Sequence, residues 1–396
     1  MSFSIATSGL NAVTEQLNAI SNNIANSGTV GFKSGRAQFS ALYAESQPLG
    51  VGVTGVTQSI TKGGSITSTG TALDLAINGN GFFMVRDSAG TTAYTRAGYF
   101  GTDSNGNLVN DQGMYLQGYP VDANGTLQVG SIGNLSISSG SIPAKATESI
   151  DFTANLDARA ETPATSPFDP KDNTSYNNSY TTQIYDSLGR EHTLNQYFVK
   201  TGDNSWEVHY YMDDAEVPGS TQALTFNTQG ILTAPTGSVS LNAAIPGADA
   251  MTIDLTYNGT TQYGSEFSVS KNKGDGYASG ERTGQAIDED GSVYATFSNG
   301  ERLLQGQLVL ANFTNPNGLQ SQDGTTWAQT ASSGTPLTGA PGSGLLGSIV
   351  SGALESSNVD LTSELVGLMT AQRNYQANTK VISTNDSMMN ALFQAA

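Results

Sequence analysis

His192 and His209 are the only imidazoles in the 396-residue chain, which contains no cysteine. A metal held by either would have to be completed with oxygen ligands, a poor donor set for zinc. Both histidines fall in strand-like stretches and read as ordinary strand residues. Asp103 opens DSNGNLVND, which begins with the Asp-x-Asn-x-Asn spacing of a calcium loop. The position that demands glycine holds Leu108, however, and the twelfth, which demands glutamate, holds Met114, so the segment reads as a turn. IDEDGSV, Ile287 to Val293, puts close carboxylates of the kind used in acid–base catalysis on a hairpin with Asp290-Gly291 at its tip. Nothing in the pattern sets them in a cleft. NGNGFF, from Asn78, lacks the third glycine and the following helix of a nucleotide fingerprint. No catalytic, metal-binding or cofactor-binding residue is assigned, no cofactor is implied, and the chain reads as a non-enzyme.

The elements that must carry these residues are set by composition. A hydrophobic content of 37% is enough for real cores, and 46 glycines punctuate alternating, strand-friendly runs through the middle. Without cysteine the fold cannot depend on disulfides. A net charge of -18 with only 16 Lys+Arg argues against nucleic acid and anionic membrane, because phosphate binding needs clustered cations. No apolar run approaches the ~20 residues of a membrane-spanning helix, so no membrane insertion is expected. The first basic residue is Lys33 and the N-terminal apolar residues are spaced, not contiguous, so no cleaved signal is expected either.

Only the two ends look helical. Phe3, Ala6, Leu10, Val13, Leu17, Ile20 and Ile24 follow steps of three and four, a complete coiled-coil seam. Glu15 is the only charge among the intervening residues, so the outward face is polar without being the charged face of a helix made for bulk water. In ISNNIANSGTVGFKS, Asn and Gly then end the helix. Near the other end Leu361, Leu368, Tyr375, Ile382 and Met389 form a strict seven-residue column. Its companion column, Leu365, Gln372, Thr379, Asp386 and Phe393, is mixed. Asn358 or Asp360 is the expected cap, with Gly352 as a break upstream. Isolated helices of this length are marginal in water, and two matching seams at opposite ends suggest one paired element, packed either on the chain's own domain or on other copies.

Turn signals divide the chain into an N-terminal coiled-coil helix at 1–30, an irregular Gly-Ser-Thr-rich spacer at 31–70, and an inner β domain beginning at 71–145. An outer β domain is inserted at 146–277, the inner domain resumes at 278–357, and a C-terminal coiled-coil helix occupies 358–396. In the outer unit Trp206, Val208 and Tyr210 alternate with Glu207, His209 and Tyr211. The expected fold is mainly β and multidomain, with terminal α-helices paired as a coiled coil and nested antiparallel β domains between them.

The block SGLNAVTEQLNAISNNIANSGTVGFKSGRAQFSALYAES resembles the N-terminal signature of the bacterial flagellar axial proteins, the rod and hook subunits. Its Asn22, Asn23, Asn26, Gly31, Phe32 cluster matches the family motif. SNVDLTSELVGLMTAQRNYQANTKVISTNDSMMNALF looks like their C-terminal counterpart, and ALDLAINGNGFFMV with AYTRAGYFGTDSNGNLVNDQGMYLQGYP is similar to their shared inner domain. The start and the central TTQIYDSLGREHTLNQYFVKTGDNSWEVHYYMDD look most like the hook members. The resemblance implies a subunit that self-assembles into a tube with its terminal helices as the innermost wall. It also implies a bent, rotating joint outside the cell, export by the flagellar machine, and as partners other copies of itself, the distal rod, the hook cap, the hook–filament junction and export apparatus proteins. A distal rod subunit shares the terminal blocks and stands as the nearest alternative. A secreted β-rich glycan-binding adhesin is the alternative from another class.

Overall fold

The uncharged, apolar-periodic start forms the helix α1, Ser2–Ala25, and the seven-residue column near the other end forms α2, Leu361–Ala395. The computed structural model describes residues 2–44, 47–122, 125–138, 140–219 and 221–395. Met1 and Ala396, the outermost residues of the two expected helical segments, lie outside the described residues. α2 begins three residues later than expected because Asp360 is its cap, its Oδ1 accepting from the amides of Thr362 at 3.0 Å and Ser363 at 3.2 Å. Asn358 is engaged elsewhere.

The spacer at 31–70 is corrected. Gly35–Ala44 (β1) and Gln47–Gln58 (β2) pair as an antiparallel hairpin, and Ile66–Ser68 pairs with Ala353–Glu355. The glycines that suggested an irregular connection are tolerated because strand pairing uses backbone groups, and the register shifts at Gln38/Phe39 and Leu42/Tyr43 absorb the misfits.

The chain divides into two compact units. The first comprises residues 1–139, 284–296 and 302–396. Its sheet takes strands from both sides of the intervening segment: Arg302–Leu308 pairs with Tyr115–Pro120, which pairs with Phe82–Arg86, which pairs with Thr92–Thr95. Leu75–Asn78 likewise pairs with Ser348–Ser351. A core of Phe82, Met84, Tyr94, Val309, Phe313 and Trp327 packs with edge-to-face aromatic contacts.

The second unit comprises residues 140–283 and 297–301. It begins before and ends after the expected 146–277, because backbone bridges of Ile142 with Gly280 and Lys145 with Tyr277 close a stem across its two ends. Trp206, Val208 and Tyr210 point inward as their alternation requires. Tyr257 is wholly enclosed, its hydroxyl 2.7 Å from that of Tyr210 and donating to Gln196 Oε1 at 2.7 Å. The antiparallel expectation needs one correction here. Ser149–Asp157 runs parallel to both Met251–Thr256 and Thr261–Tyr263. The chain continues beside the same strand past Asn258-Gly259 and does not fold back as a hairpin. The Thr153 hydroxyl, donating to Asn258 O at 2.8 Å, holds that bend.

Candidate assembly interface

α1 and α2 pack antiparallel, as three contacts from one end of the pair to the other show. Asn23 Nδ2 donates to Glu364 Oε1 at 2.9 Å, Gly367 lies against Ile20, and Gly9 lies against Asn378. Val13, Ile20 and Ala371 form the buried centre, with Leu17, Ile24 and Leu368 partly buried around it. Ala6 is also buried and Leu10 is half-buried, whereas Phe3 is exposed. The α1 seam expected from periodicity therefore faces inward except at its first residue.

The α2 side is different. Leu368 and Ile382 are half-buried, but Leu361, Leu365, Tyr375 and Met389 are exposed. Gln372, Thr379 and Asp386 of the companion column are exposed too, and the side chain of Phe393 lies outside the described residues. The residues that meet α1 include Glu364, Gly367, Ala371 and Asn378. Counting apolar residues misses this face because small residues allow close approach of two helices and carry little hydrophobic signal.

Where α1 leaves the pair, the motif asparagines act as backbone substitutes. Asn23 is buried, donating from Nδ2 to Gly35 O at 2.8 Å and accepting from Gly35 N at 2.8 Å. Asn22 is exposed, and its Oδ1 accepts from Asn26 Nδ2 at 2.9 Å. Gly31 has φ +71°, and a Cβ there would stand 2.5 Å from the Ala97 amide nitrogen, so both backbone conformation and space require glycine. Phe32 is half-buried.

Beside them sits an anchor that sequence reasoning missed. Lys33 Nζ lies 2.5 Å from Glu355 Oε1, and Arg96 Nη1 lies 3.0 Å from Glu355 Oε2, with all three side chains buried. Lys33 also donates to Lys62 O at 2.9 Å, Arg96 Nη2 to Gly79 O at 2.8 Å, and the Gly64 amide to Glu355 Oε1 at 2.9 Å. Asn358 completes the junction, donating to Ser59 O and Lys62 O and accepting from Ser34 N. Burial alone would raise the Glu355 pKa, but Arg96 and Lys33 hold it below the ordinary carboxylate value. Burial lowers that of Lys33 against the pull of Glu355. The available signal was a single charge in each of two otherwise uncharged stretches, GFKSG and SGALESS.

The residues first considered for chemistry serve turns and strands. His192 Nδ1 lies 2.5 Å from Asp213 Oδ2 and Nε2 3.3 Å from Asp186 Oδ2, and these carboxylates raise its pKa against the opposing effect of burial. His209 stacks on Phe168 at 4.2 Å, and burial lowers its pKa. Asp103 Oδ1 accepts from the amides of Asn105 and Asn107, closing the expected turn. Asp288 pairs with Arg302 at 2.8 Å. Among the described residues no group of three or more His, Asp or Glu is arranged to hold a metal.

Four family models match in chain order. They are described as Flagella basal body rod protein at residues 3–33, Flagellar hook protein FlgE/F/G D1 domain at 76–155, Flagellar basal body protein FlaE D2 domain at 155–277, and Flagellar basal body rod FlgEFG protein C-terminal at 350–395. Together they define an axial protein of the bacterial flagellum. The flagellar hook protein FlgE of Salmonella typhimurium is 44% identical over 404 residues, covering 99% of each chain. That of Escherichia coli is 42% identical over 403 residues with the same coverage, and that of Brucella suis 35% over 391 residues, covering 97% of this chain and 96% of its own. The crystal structure of Helicobacter pylori flagellar hook protein FlgE2 shares the fold, with a TM-score of 0.53 at 14% identity over 73% of this chain and 100% of that one. The chain belongs to the flagellar hook protein FlgE family, whose members are structural subunits of the hook.

Proposed function

We propose that the chain self-assembles through its terminal helices into the wall of the tubular hook, the flexible joint that passes motor torque from rod to filament. The observation that carries this reading is the uncovered apolar surface of α2. Leu361, Leu365, Val366, Met369, Tyr375, Val381, Met388 and Met389 are each 42 to 59% exposed. Full burial of such a side chain contributes about 1.5–3 kcal/mol, so a large part of that gain remains for contacts with other copies. The seam residues Phe3 to Ile24 and Leu361 to Met389 are read as serving two contacts, one within the chain and one between chains.

On this reading the chain is not an enzyme and needs no cofactor. Its neighbours are copies of itself, with the distal rod, the hook cap and the hook–filament junction at the ends of the polymer. It reaches the outside of the cell through the flagellar export apparatus. The unit at 140–283, rich in Asn, Thr, Ser, Asp and Gly, suits polar contacts that slide as the joint turns, because such contacts change little in energy with spacing. Electron microscopy of concentrated purified protein tests the reading: tubes are expected, and dispersed particles at every concentration would refute it. Replacing 140–283 with a short Gly/Ser link should leave tubes of altered curvature or stiffness.

A further inference from the structure

Between α1, α2 and the β1–β2 hairpin lies an open groove of about 370 Å³. Its floor and walls are Gly9, Ala12 and Val13 of α1, Phe39 and Val51 of the hairpin and Ala377 of α2, with the amide side chains of Gln16, Asn374 and Asn378 at its edges, and no charged side chain borders it among the described residues. Ala12 and Ala377 keep it a hollow, since neither side chain extends beyond Cβ.

Charge points to the kind of occupant. Residues 1–58 and 361–396 hold four acidic side chains, Glu15, Glu45, Glu364 and Asp386, and four basic ones, Lys33, Arg36, Arg373 and Lys380. They are therefore neutral together, and the whole excess of -18 falls on the remainder of the chain. Two copies that meet through their β units meet like charge, whereas copies that meet through helices and hairpin do not. The surface that fits an uncharged hollow is an uncharged ridge. Leu365, Val366 and Met369 provide one: they are neighbours on the helix surface, they are 45, 54 and 50% exposed, and the adjacent Glu364 is tied down by Asn23. This ridge cannot enter its own groove, because Met369 and Ala377 are eight residues apart on one helix, about 12 Å along its axis.

We propose that the groove receives Leu365, Val366 and Met369 of a second copy, a heterologous contact that repeats from copy to copy and so extends a polymer. The proposal rests on the self-assembly reading and adds to it which two surfaces meet.

The absence of native cysteine makes a direct test clean. The double variant Ala377→Cys, Met369→Cys cannot bridge within one helix, since a disulfide needs Cα atoms no more than about 7 Å apart. Oxidised tubes of the double variant should run on a non-reducing gel as a ladder of multimers that collapses with reductant, whereas each single variant, able to form one bond per chain, should stay monomeric. Tubes without a ladder, or a disulfide dimer from either single variant as strong as the double variant's dimer band, would overturn the proposal. Independently, Ala377→Trp should fill the groove and raise the concentration needed for assembly at least tenfold while leaving helical circular dichroism unchanged. An unchanged threshold would also overturn it. Failure of wild-type protein to form tubes, seen by microscopy before any oxidation, would instead refute the self-assembly reading.

Discussion

The outer unit and the helix pair solve the same problem to different degrees. Around Phe152, Phe198, Trp206 and Leu255 the outer unit closes a continuous core, and its buried hydroxyls find partners in one another and in Gln196. The helix pair has a thin buried strip centred on Val13, Ile20 and Ala371, and it turns leucine, valine and methionine outward. A sheet sandwich can bury both inner faces within one chain, whereas two helices enclose only the strip between them. The outer unit is thus complete in the single chain, whereas on the proposed reading the helix pair is the part left for other copies to finish. What fixes the pair to its β unit is polar and specific: Asn23, Asn358 and the Lys33–Glu355–Arg96 cluster.

The contrast breaks most sharply at the helix seam. Val13→Asp with Ile20→Asp puts two unpartnered carboxylates into the centre of the pair and should abolish tubes altogether, with loss of helical circular dichroism and an unchanged outer unit. Because Trp206 belongs to the outer unit and Trp327 to the other, single-tryptophan backgrounds report each separately. Glu355→Ala leaves Lys33 and Arg96 buried without their carboxylate, and should cost about 3–5 kcal/mol in the urea transition followed by Trp327. The Trp206 transition should not move. Tyr257→Phe makes the reverse test. It strands the polar partners at Gln196 and Tyr210, and should cost about 1–3 kcal/mol in the Trp206 transition alone.

Acid sharpens the role of the anchor. The folded-state pKa of Glu355 lies below its ordinary 4.5, so its contribution is complete above pH 4.5 and is lost as pH falls through the lower folded value. Titrating the Trp327 transition downward from pH 5 should show a fall in stability that is smaller in Glu355→Ala. The smallest effect is expected at Asp360→Ala, where loss of the cap should speed amide exchange at Thr362 and Ser363 without shifting either global transition.

The two helices and strands such as Ser205–Met212 were legible because their signals are local: steps of three and four from Phe3 to Ile24, and alternation from Trp206 to Met212. That α1 carries a single charge, Glu15, was legible for the same reason. The hairpin β1–β2 was not, since glycine-rich strands carry no strong pattern and only a paired backbone reveals them. Periodicity tells which residues share a face about a helix's own axis, but not which face another element will choose. That choice fell to Gly367 and Ala371 over Leu361 and Leu365, because close approach of α1 depends on small side chains on both helices. The sequence alone determined that there would be two amphipathic helical ends around a β-rich middle. Only the tertiary structure decided that Lys33 would meet Glu355, 322 residues away, and Asn23 would meet Gly35 and Glu364. A buried charge or amide takes whichever partner the folded chain brings within about 3 Å, and no local pattern encodes that meeting.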